Sequence, residues 1–339
     1  MKAVLFYEPK NIKLVDVAVP APGPGEVLLK ISAALTCGTD FKAYRQGHHM
    51  LGAPPSPFGH EFSGVVEAVG DGVQDFNRGD RVVAANSAPC HGCFYCERGQ
   101  TQLCDDLKFH NGGYAQFNLV PSGIVANNLY KLPDGLGFPE AALGDPLGCA
   151  IHAVDVVRAD EGETVAIIGA GSMSLLLIQA LRARGARVLV VGRSRANLEI
   201  ALAAGAEAVI STETEEPLGA VRRLTGGRGA DCVFEAVGTA KTWEMAVELT
   251  RKGGRVCLFG GCASGTMVPI DTHRIHYSQI TLHGVFHHTP KYFKAAVDLL
   301  AAGGVKTDLL IGGRMPLEDV PAFFHERHHQ SNRKFAVIP

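Results

Sequence analysis

One short segment of the chain combines side chains that are suited to binding a metal ion. Gly59-His60-Glu61 places an imidazole directly beside a carboxylate, and a thiol lies upstream in Thr36-Cys37-Gly38-Thr39-Asp40. A thiolate, an imidazole and one or two carboxylates form a mixed ligand set that suits zinc with one open coordination position. For an isolated Gly-His-Glu segment, a tight turn with a hydrogen-bonded His60 is the commoner alternative, so the assignment depends on the rest of the chain.

A second candidate metal site is a group of four closely spaced cysteines: Cys90, Cys93, Cys96 and Cys104. Four thiolates at such short separations wrap around one tetrahedral zinc ion, and sites of this kind are closed and structural. The alternative, four free thiols in one exposed loop, would be an oxidation hazard. A zinc ribbon that binds other molecules is a weaker alternative, because Arg98 is the only base among the neighbouring residues. We therefore predict a structural zinc lobe over residues 88–106.

The sequence around Gly169 has the pattern of a dinucleotide-binding turn. A continuous apolar segment over residues 164–168 precedes Gly169-Ala170-Gly171, and a helical pattern follows. The glycines permit a tight turn and let backbone N–H groups meet a pyrophosphate at the helix N-terminus, which predicts cofactor contacts from Gly169, Gly171, Ser172 and Met173. Ser174 replaces the third glycine of the fingerprint, which should move the helix and the strand slightly apart without preventing binding.

The residues after the second strand of this region bear on the choice between NAD and NADP. A site for NAD usually has a carboxylate about twenty residues after the glycines, which accepts a hydrogen bond from the ribose 2′-OH. Gly192 stands at that position, followed by Arg193, Ser194 and Arg195. This arrangement can accommodate a 2′-phosphate, with Ser194 and Arg195 as donors and Arg193 adding charge. We predict NADP, with NAD possible; the alternative is that the arginines only form a solvated loop.

The candidate residues lie in two regions with different sequence patterns. Residues 1–130 contain short strands broken by turns, without long amphipathic helices, which predicts a β-rich, barrel-like domain. From about residue 162 apolar strands alternate with helices, which is typical of a doubly wound α/β domain with a parallel sheet. A helix over 292–302 and a final strand over 334–338 should rejoin the first domain. The predicted domains are 1–147 with 290–339, and an inserted nucleotide-binding domain over 148–289.

The composition excludes several other classes of function. The 339 residues are 46% hydrophobic and 19% charged, with a formal net charge of −2. Such a chain lacks the basic field that would attract nucleic acid or an anionic membrane surface. No apolar run approaches the ~20 residues that span a bilayer, and the N-terminus begins with strand-like sequence rather than a signal peptide. We expect a soluble, cytoplasmic protein whose clustered cysteines bind metal rather than form disulfides.

Six motifs together identify a family that the chain resembles. They are Cys37-Gly38-Thr39-Asp40, Gly59-His60-Glu61, the zinc lobe, Asp145-Pro146-Leu147, the Gly169 turn and Phe234-Glu235-Ala236-Val237-Gly238. In their order and spacing, over essentially the full length, the chain resembles the zinc-dependent medium-chain dehydrogenases, in the branch of sorbitol (polyol) and threonine dehydrogenases. The resemblance implies a GroES-like catalytic β-barrel domain with an inserted Rossmann domain, two zinc ions per chain, and cofactor contacts from Ala236 and Val237.

The resemblance also implies how the catalytic zinc is bound. The family's ligands correspond to Cys37, His60 and an acidic residue of a Glu-Pro-Leu motif, with Glu61 close enough to bind or to exchange with water. Asp145 holds the acidic position here, one methylene shorter but still a suitable oxygen ligand. Whether Glu61 or Asp145 completes the resting site stays open in the sequence. Zinc would act as a Lewis acid on the substrate hydroxyl, so that hydride can pass to C4 of the nicotinamide.

Two further residues are connected with proton transfer by the resemblance. Thr39 is placed to take the hydroxyl proton, although it could instead hydrogen-bond its own loop. Related enzymes often relay the proton through a histidine five residues after the cysteine ligand, and Lys42 stands there. An ordinary lysine, with a pKa of about 10.4, is a poor shuttle at neutral pH unless burial lowers that pKa. Water could carry the proton, His48 and His49 could serve, or Lys42 could bind the cofactor or a charged substrate.

The substrate class follows from the resemblance less firmly than the chemistry does. The branch implies oxidation of a secondary alcohol of a polyol, sugar or cyclitol, or reduction of the ketone. Residues 109–114 and the histidines could line a polar pocket for it: His48, His49, His287 and His288. Simple secondary alcohols or amino alcohols are alternatives, and a non-catalytic nucleotide-binding or sensor protein is the alternative of another class. The family also implies a homodimer or homotetramer.

Overall fold

The chain folds into two compact units. The computed structural model describes residues 1–326 and 333–339. The first unit comprises Met1–Gly148 and His288–Pro339, and the second comprises Cys149–His287. Within the described residues, no helix has both the length and the apolar character needed to cross a membrane. The catalytic role of the first unit and the nucleotide-binding role of the second remain predictions.

The regular elements are short in the first unit and longer in the second. In chain order the strands are β1 (Lys2–Glu8), β2 (Asn11–Asp16), β3 (Val27–Leu35), β4 (Ser56–Pro57), β5 (Glu61–Val69), β6 (Arg81–Ala84), β7 (Ser87–Ala88), β8 (Lys108–Phe109), β9 (Phe117–Val120), β10 (Leu129–Lys131), β11 (Thr164–Ile168), β12 (Arg187–Gly192), β13 (Ala208–Ser211), β14 (Ala230–Glu235), β15 (Thr250–Leu258), β16 (Thr281–Gly284), β17 (Ile311–Pro316) and β18 (Lys334–Ile338). The helices are α1 (Gly38–Gln46), α2 (Phe94–Glu97), α3 (Ser122–Asn128), α4 (Phe138–Ala141), α5 (Gly144–Val156), α6 (Ser172–Ala183), α7 (Arg195–Ala204), α8 (Pro217–Leu224), α9 (Ala240–Leu249), α10 (Thr272–Tyr277), α11 (Pro290–Ala301) and α12 (Val320–Glu326).

The main sheet of the first unit brings distant parts of the chain to one end of β3. Its order is β10-β6-β5-β3-β18-β17, with β9 also pairing with β3. Leu35, the last residue of β3, pairs with Glu61 at the start of β5 and with Ala336 of β18. Because both partners run antiparallel to β3, the residues after Leu35 lie beside those that precede Glu61 and Ala336. This register therefore positions the metal-binding candidates.

An aromatic core packs beside these strands and fixes the segment that leads into β5. Phe58 lies 5.7 Å from Tyr114 and 5.5 Å from Phe324 between ring centroids, and all three side chains are buried. Burying one such side chain stabilises the fold by about 1.5–3 kcal/mol relative to leaving it exposed. The residues immediately after Phe58 are thus held on a rigid support.

The second unit is a parallel sheet of six strands in the order β13-β12-β11-β14-β15-β16. Every residue of its central strand β11 is buried, as expected for a strand covered on both faces. The chain passes outward from β11 to β13, then returns to the other side of β11 at β14. A crevice at the carboxyl ends of β11 and β14 is where ligands bind in sheets of this topology. The predicted doubly wound fold is confirmed.

Several elements differ from the sequence patterns. The tail after residue 290 contains β17 and α12 besides the predicted helix and final strand. β17 includes Gly312 and Gly313, which carry no apolar side chain and hide the alternation of a strand. β15 begins at Thr250 rather than near residue 254, so the turn-like Gly253-Gly254 lies within a strand.

Candidate active site

Cys37 lies at the N-cap of α1, directly after β3. Its Sγ accepts a hydrogen bond from the backbone N–H of Thr39 at 3.4 Å, and its own N–H donates to Asp40 Oδ2 at 2.9 Å. The positive end of a helix dipole favours a thiolate at this position. Burial raises the pKa of Cys37, but the Lys334 ammonium and His60 outweigh burial and lower this pKa to about 6. This low pKa favours the thiolate of Cys37, which is the form that binds a metal.

Asp40 holds the imidazole of His60 in one orientation. His60 Nδ1 lies 2.8 Å from Asp40 Oδ1, while Asp40 Oδ2 accepts from the hydroxyl of Tyr114 at 2.5 Å. With Nδ1 committed to a carboxylate, Nε2 is the nitrogen that can bind a metal. Burial lowers the pKa of His60, but Asp40 overcomes that effect, so the net pKa lies well above the usual range. Asp40 and Tyr114 have a supporting role that the sequence motifs did not assign.

The glycine before His60 is required by this packing. Gly59 has φ of +83°, and a Cβ atom there would lie 2.7 Å from Cγ of Tyr114. The tyrosine ring therefore covers the backbone at Gly59 while its hydroxyl reaches Asp40. Burial raises the pKa of Tyr114 well above its usual value, and Asp40 adds to the rise, so the phenol remains a hydrogen-bond donor.

Glu61 forms a buried ion pair with Lys334 of β18. The Lys334 Nζ atom lies 2.7 Å from both carboxylate oxygens of Glu61 and donates to the carbonyl of Thr36 at 3.3 Å. The Lys334 side chain is 2% exposed and that of Glu61 is 0% exposed. Burial lowers the pKa of Lys334, but Glu61 more than reverses this and the net pKa is raised. Burial raises the pKa of Glu61, and Lys334 opposes that rise.

Three of the predicted zinc ligands converge in the first unit. Ligand atoms of Cys37, His60 and Glu61 all lie within 4.8 Å of one another, and among the described residues Asp145 is not part of that group. Asp145 lies in the first turn of α5, where His288 Nε2 donates to its Oδ1 at 2.9 Å. Its charge adds to the effect of burial in raising the pKa of Glu61, so the two carboxylates are electrostatic neighbours.

The four cysteines of the zinc lobe also converge. Their sulfur atoms lie within 4.8 Å of one another, compatible with ~3.8 Å separations around an ion bound at ~2.3 Å. Backbone N–H groups of Cys90 and Asp106 donate to Cys104 Sγ at 3.2 and 3.3 Å. Backbone donors lower the pKa of Cys93 to about 6, whereas burial raises that of Cys96 to about 12. Four sulfur donors in one cluster of this size fit a single tetrahedral metal ion.

The residues connected with proton transfer lie on α1 and in the loop after it. Lys42 is exposed on α1, and Thr39 is partly buried beside Cys37. His48 stacks on His49 with ring centroids 4.3 Å apart. Burial lowers the pKa of His48 to about 4, and the neighbouring His49 and His60 add to this lowering. A histidine with so low a pKa is a weak proton acceptor at neutral pH.

The glycine turn of the second unit has the form that a pyrophosphate site needs. Gly169 follows β11 with φ of +110°, and Gly171 is the N-cap of α6. No side chain caps that helix end, so its first N–H groups point outward as the usual anion donors. Ser172 and Met173 form the first turn of α6.

The other predicted cofactor residues also lie at carboxyl ends of strands. Gly192 ends β12, and a Cβ atom there would lie 3.1 Å from side-chain atoms of both Ala170 and Leu198. Ser194 is the N-cap of α7 and makes no side-chain capping bond. The Arg195 side chain is 92% exposed and pairs with Glu199 at 3.0 Å. Arg193 is exposed beside them.

Ala236 and Val237 follow β14, next to the glycine turn. The Val237 N–H donates to the buried carboxylate of Glu235 at 2.8 Å, and a Cβ atom at Gly169 would lie 3.0 Å from Cγ2 of Val237. The strand order that places β14 beside β11 therefore brings two separate sequence motifs together.

Comparison with known proteins identifies the family. Family models described as "Alcohol dehydrogenase GroES-like domain" and "Zinc-binding dehydrogenase" match residues 23–134 and 172–302. Sorbitol dehydrogenase of Bacillus subtilis (strain 168) is 31% identical over 326 residues, covering 94% of this chain and 91% of that protein. L-threonine 3-dehydrogenase of Pyrococcus horikoshii is 33% identical over 322 residues, covering 92% of this chain and 90% of that protein.

A solved structure extends the similarity to the whole fold. A zinc-binding dehydrogenase from Sinorhizobium meliloti 1021, bound to NADP, superposes with a TM-score of 0.93 at 31% identity, covering 100% of this chain and 99% of that one. The chain thus belongs to the zinc-dependent medium-chain alcohol dehydrogenases, in the branch that includes sorbitol and threonine dehydrogenases, and is an oxidoreductase.

Proposed function

We propose that the protein transfers hydride between NADP and a secondary alcohol or ketone, and that the alcohol is a polyol, sugar or cyclitol. The observation that carries the proposal is the convergence of Cys37, His60 and Glu61 within 4.8 Å. The buried Asp40 bonds both the backbone of Cys37 and the ring of His60, and the buried Lys334 bonds Glu61. A protein that only binds nucleotide would not need such a metal set. The relative named sorbitol dehydrogenase supports the polyol class.

The proposed chemistry assigns a role to each group. When bound, zinc supplies a Lewis acid that lowers the pKa of the substrate hydroxyl. Cys37 and His60 would hold the ion, and Asp145 or Glu61 would provide the acidic ligand. The Thr39 hydroxyl would accept the proton that leaves the substrate oxygen and pass its own proton on toward solvent. A bound nicotinamide would supply C4 as the acceptor of the hydride from the adjacent carbon. The zinc lobe would hold a second ion with a structural role.

The preference for NADP is supported by the crowding at Gly192. A carboxylate at this position would have to displace Ala170 or Leu198, because a Cβ atom meets each at 3.1 Å. Ser194 and Arg195 remain as donors for a 2′-phosphate. Arg195→Ala should therefore raise the KM for NADPH several-fold and leave that for NADH unchanged, whereas Arg184→Ala, a surface control, should change neither. Comparable or higher catalytic efficiency of the wild type with NADH would contradict the preference.

The test of the function is a substrate panel. Oxidation of polyols, cyclitols, amino alcohols and simple secondary alcohols is measured with NADP and with NAD, before and after treatment with a chelator. We expect chelator-sensitive turnover that is fastest on a polyol, sugar or cyclitol, and loss of turnover in Cys37→Ser. Absence of turnover on every compound by the metal-replete protein would contradict the proposal, and faster turnover of amino alcohols would reassign the substrate.

A further inference from the structure

Positive charge predominates on the surface of the segment that leads from Cys37 to His60. Residues 38–60 contain one carboxylate, Asp40, and several basic side chains: Lys42, Arg45, His48, His49 and His60. Asp40 is buried and bonds the backbone N–H of Cys37, the His60 ring and the Tyr114 hydroxyl. The negative charge of this segment therefore lies inside the fold, beneath the exposed basic groups.

Lys42 lies on the same face of α1 as Thr39. The two residues are three positions apart, so their side chains are neighbours on the surface of the helix. Thr39 is partly buried and Lys42 is exposed, one turn further along α1. Thr39 is the residue that we expect to meet the reacting hydroxyl of the substrate. The rest of such a substrate would thus lie within reach of the Lys42 ammonium.

The loop after α1 adds two histidines to this surface and is held in place by a second segment. His48 stacks on His49 with ring centroids 4.3 Å apart, and His49 meets the ring of Phe109 edge-on at 6.0 Å. Asn111 Nδ2 donates to the carbonyl of Met50 at 2.7 Å. These contacts fix the two imidazoles in a defined part of the first unit.

Lys42 and the histidines lie in one electrostatic environment. Burial is the main cause that lowers the pKa of His48 to about 4, and His49, His60 and Lys42 lower this pKa further. The same groups that disfavour a proton at His48 would attract an anion, because the sign of the interaction is reversed. A surface of one sign beside a site also raises the local concentration of oppositely charged ligands.

We propose that the substrate is an anion, namely a polyol or sugar that carries a phosphate or carboxylate group, and that Lys42 binds this group with His48 and His49 as further donors. An ammonium is a compact charge that binds oxyanions of either kind. The inference rests on the proposed function and narrows its substrate class. It also assigns to Lys42 the binding of a charged substrate, rather than cofactor binding or proton relay.

The test compares sorbitol with its terminal phosphate ester and with gluconate, which share one carbon skeleton and differ in charge. We would measure kcat and KM for the wild type, Lys42→Met and Lys42→Arg. Lys13→Met is the matched control, because Lys13 is an exposed lysine of β2 in the same unit and lies over the ring of Tyr7. Each compound is also tested as an inhibitor of the neutral alcohol that is oxidised fastest, so that binding is measured even where turnover is slow.

We expect one of the two anions to bind about 10–100-fold more tightly than sorbitol, because hydrogen bonds to charged groups are the stronger class. Lys42→Met should remove most of this difference through KM, and Lys42→Arg should restore a large part of it. Lys13→Met should match the wild type. Raising the ionic strength from about 0.1 M to about 1 M should weaken binding of the anion alone. The preferred anion identifies the group as phosphate or carboxylate.

Two results would overturn the inference and leave the proposed function intact. The first is binding of both anions that is no tighter than that of sorbitol. The second is an effect of Lys42→Met on the KM for NADPH, or on kcat for neutral and charged compounds alike, which would assign Lys42 to the cofactor or to proton transfer. Failure of the proposed function is a different outcome, in which the metal-replete protein oxidises no alcohol, charged or neutral.

Discussion

At the scale of single residues, buried charge dominates the candidate site. Lys334 and Glu61 are almost completely inaccessible, and each compensates the charge of the other. Removing one partner of such a pair leaves an uncompensated buried charge, which typically costs 3–5 kcal/mol. The pair also borders Cys37, since ligand atoms of Glu61 and Cys37 lie within 4.8 Å of each other, and Lys334 lowers the pKa of that thiol.

Lys334→Met should therefore lower the free energy of unfolding by about 3–5 kcal/mol. Lys334→Arg, which keeps the positive charge, should recover a large part of this loss. The measurement is urea-induced unfolding of the metal-loaded proteins at neutral pH. Lys2→Met is a suitable control because Lys2 pairs with Glu318 at the surface, where ion pairs contribute little. Equal stability of Lys334→Met and the wild type would contradict the prediction.

Sequence reasoning found the metal-binding candidates but not their supports. The spacing of Cys37, Gly59-His60-Glu61 and the four cysteines carries recognisable chemistry, and the structure brings these groups together. Lys334 belongs to no recognisable motif, and its proximity to Glu61 depends on the pairing of β18 with β3. Asp40 was visible inside a motif, but its bond to His60 required knowledge of the loop geometry.

At the scale of elements, the zinc lobe contains little regular structure of its own. Residues 88–106 include the short helix α2, and the surrounding strands β7 and β8 have two residues each. Cys96 and Cys104 of the lobe are buried, but the lobe has no extensive apolar core of its own. Its order should therefore depend on the metal, as is usual for structural zinc sites.

Cys96→Ser should reduce the zinc content from about two ions per chain to about one. The lobe should then be cleaved faster by proteases, because its backbone loses the cross-link that orders it. Limited proteolysis with mass mapping locates the new cleavage sites, which we expect within 88–106. Cys262→Ser, which removes a thiol outside the lobe, should leave both zinc content and cleavage unchanged. If Cys96→Ser keeps the zinc content of the wild type, the prediction of a structural site is contradicted.

Strands and helices whose apolar residues form a clear pattern could be predicted from the sequence, and elements without such a pattern could not. β11 and β12 are buried apolar strands around a glycine turn, so the sequence pattern located them closely. β17 was missed because adjacent glycines remove the alternation that identifies a strand. α5 was not predicted, because its first turn contains Gly144, Asp145 and Pro146, which on sequence alone favour a turn.

At the scale of the whole molecule, the two predicted ligand sets belong to different units. Cys37, His60 and Asp145 belong to the first unit, whereas Gly169 and Arg195 belong to the second. Binding of the nucleotide should therefore not require the catalytic metal. This separation is a property of the chain topology and could not be read from any single motif.

Cys37→Ser should abolish turnover but keep the stabilisation that NADPH provides. At a concentration of about 100 times Kd, a ligand stabilises the folded state by about 2.7 kcal/mol. Thermal unfolding with and without NADPH, in the wild type and in Cys37→Ser, measures this effect. Gly171→Asp, which places a negative charge at the helix N-terminus, should remove the NADPH shift in either background. A shift lost in Cys37→Ser alone would mean that the metal site is needed for cofactor binding.

The pairing of β18 with β3 also has a consequence for biosynthesis. The second unit is one continuous segment, Cys149–His287, so all of it can leave the ribosome before Lys334 has been synthesised. The first unit lacks β18 until then, and Glu61 has no cation to face. The second unit can fold first during translation, as continuous domains generally do. We therefore expect the catalytic metal to bind only after β18 has paired with β3.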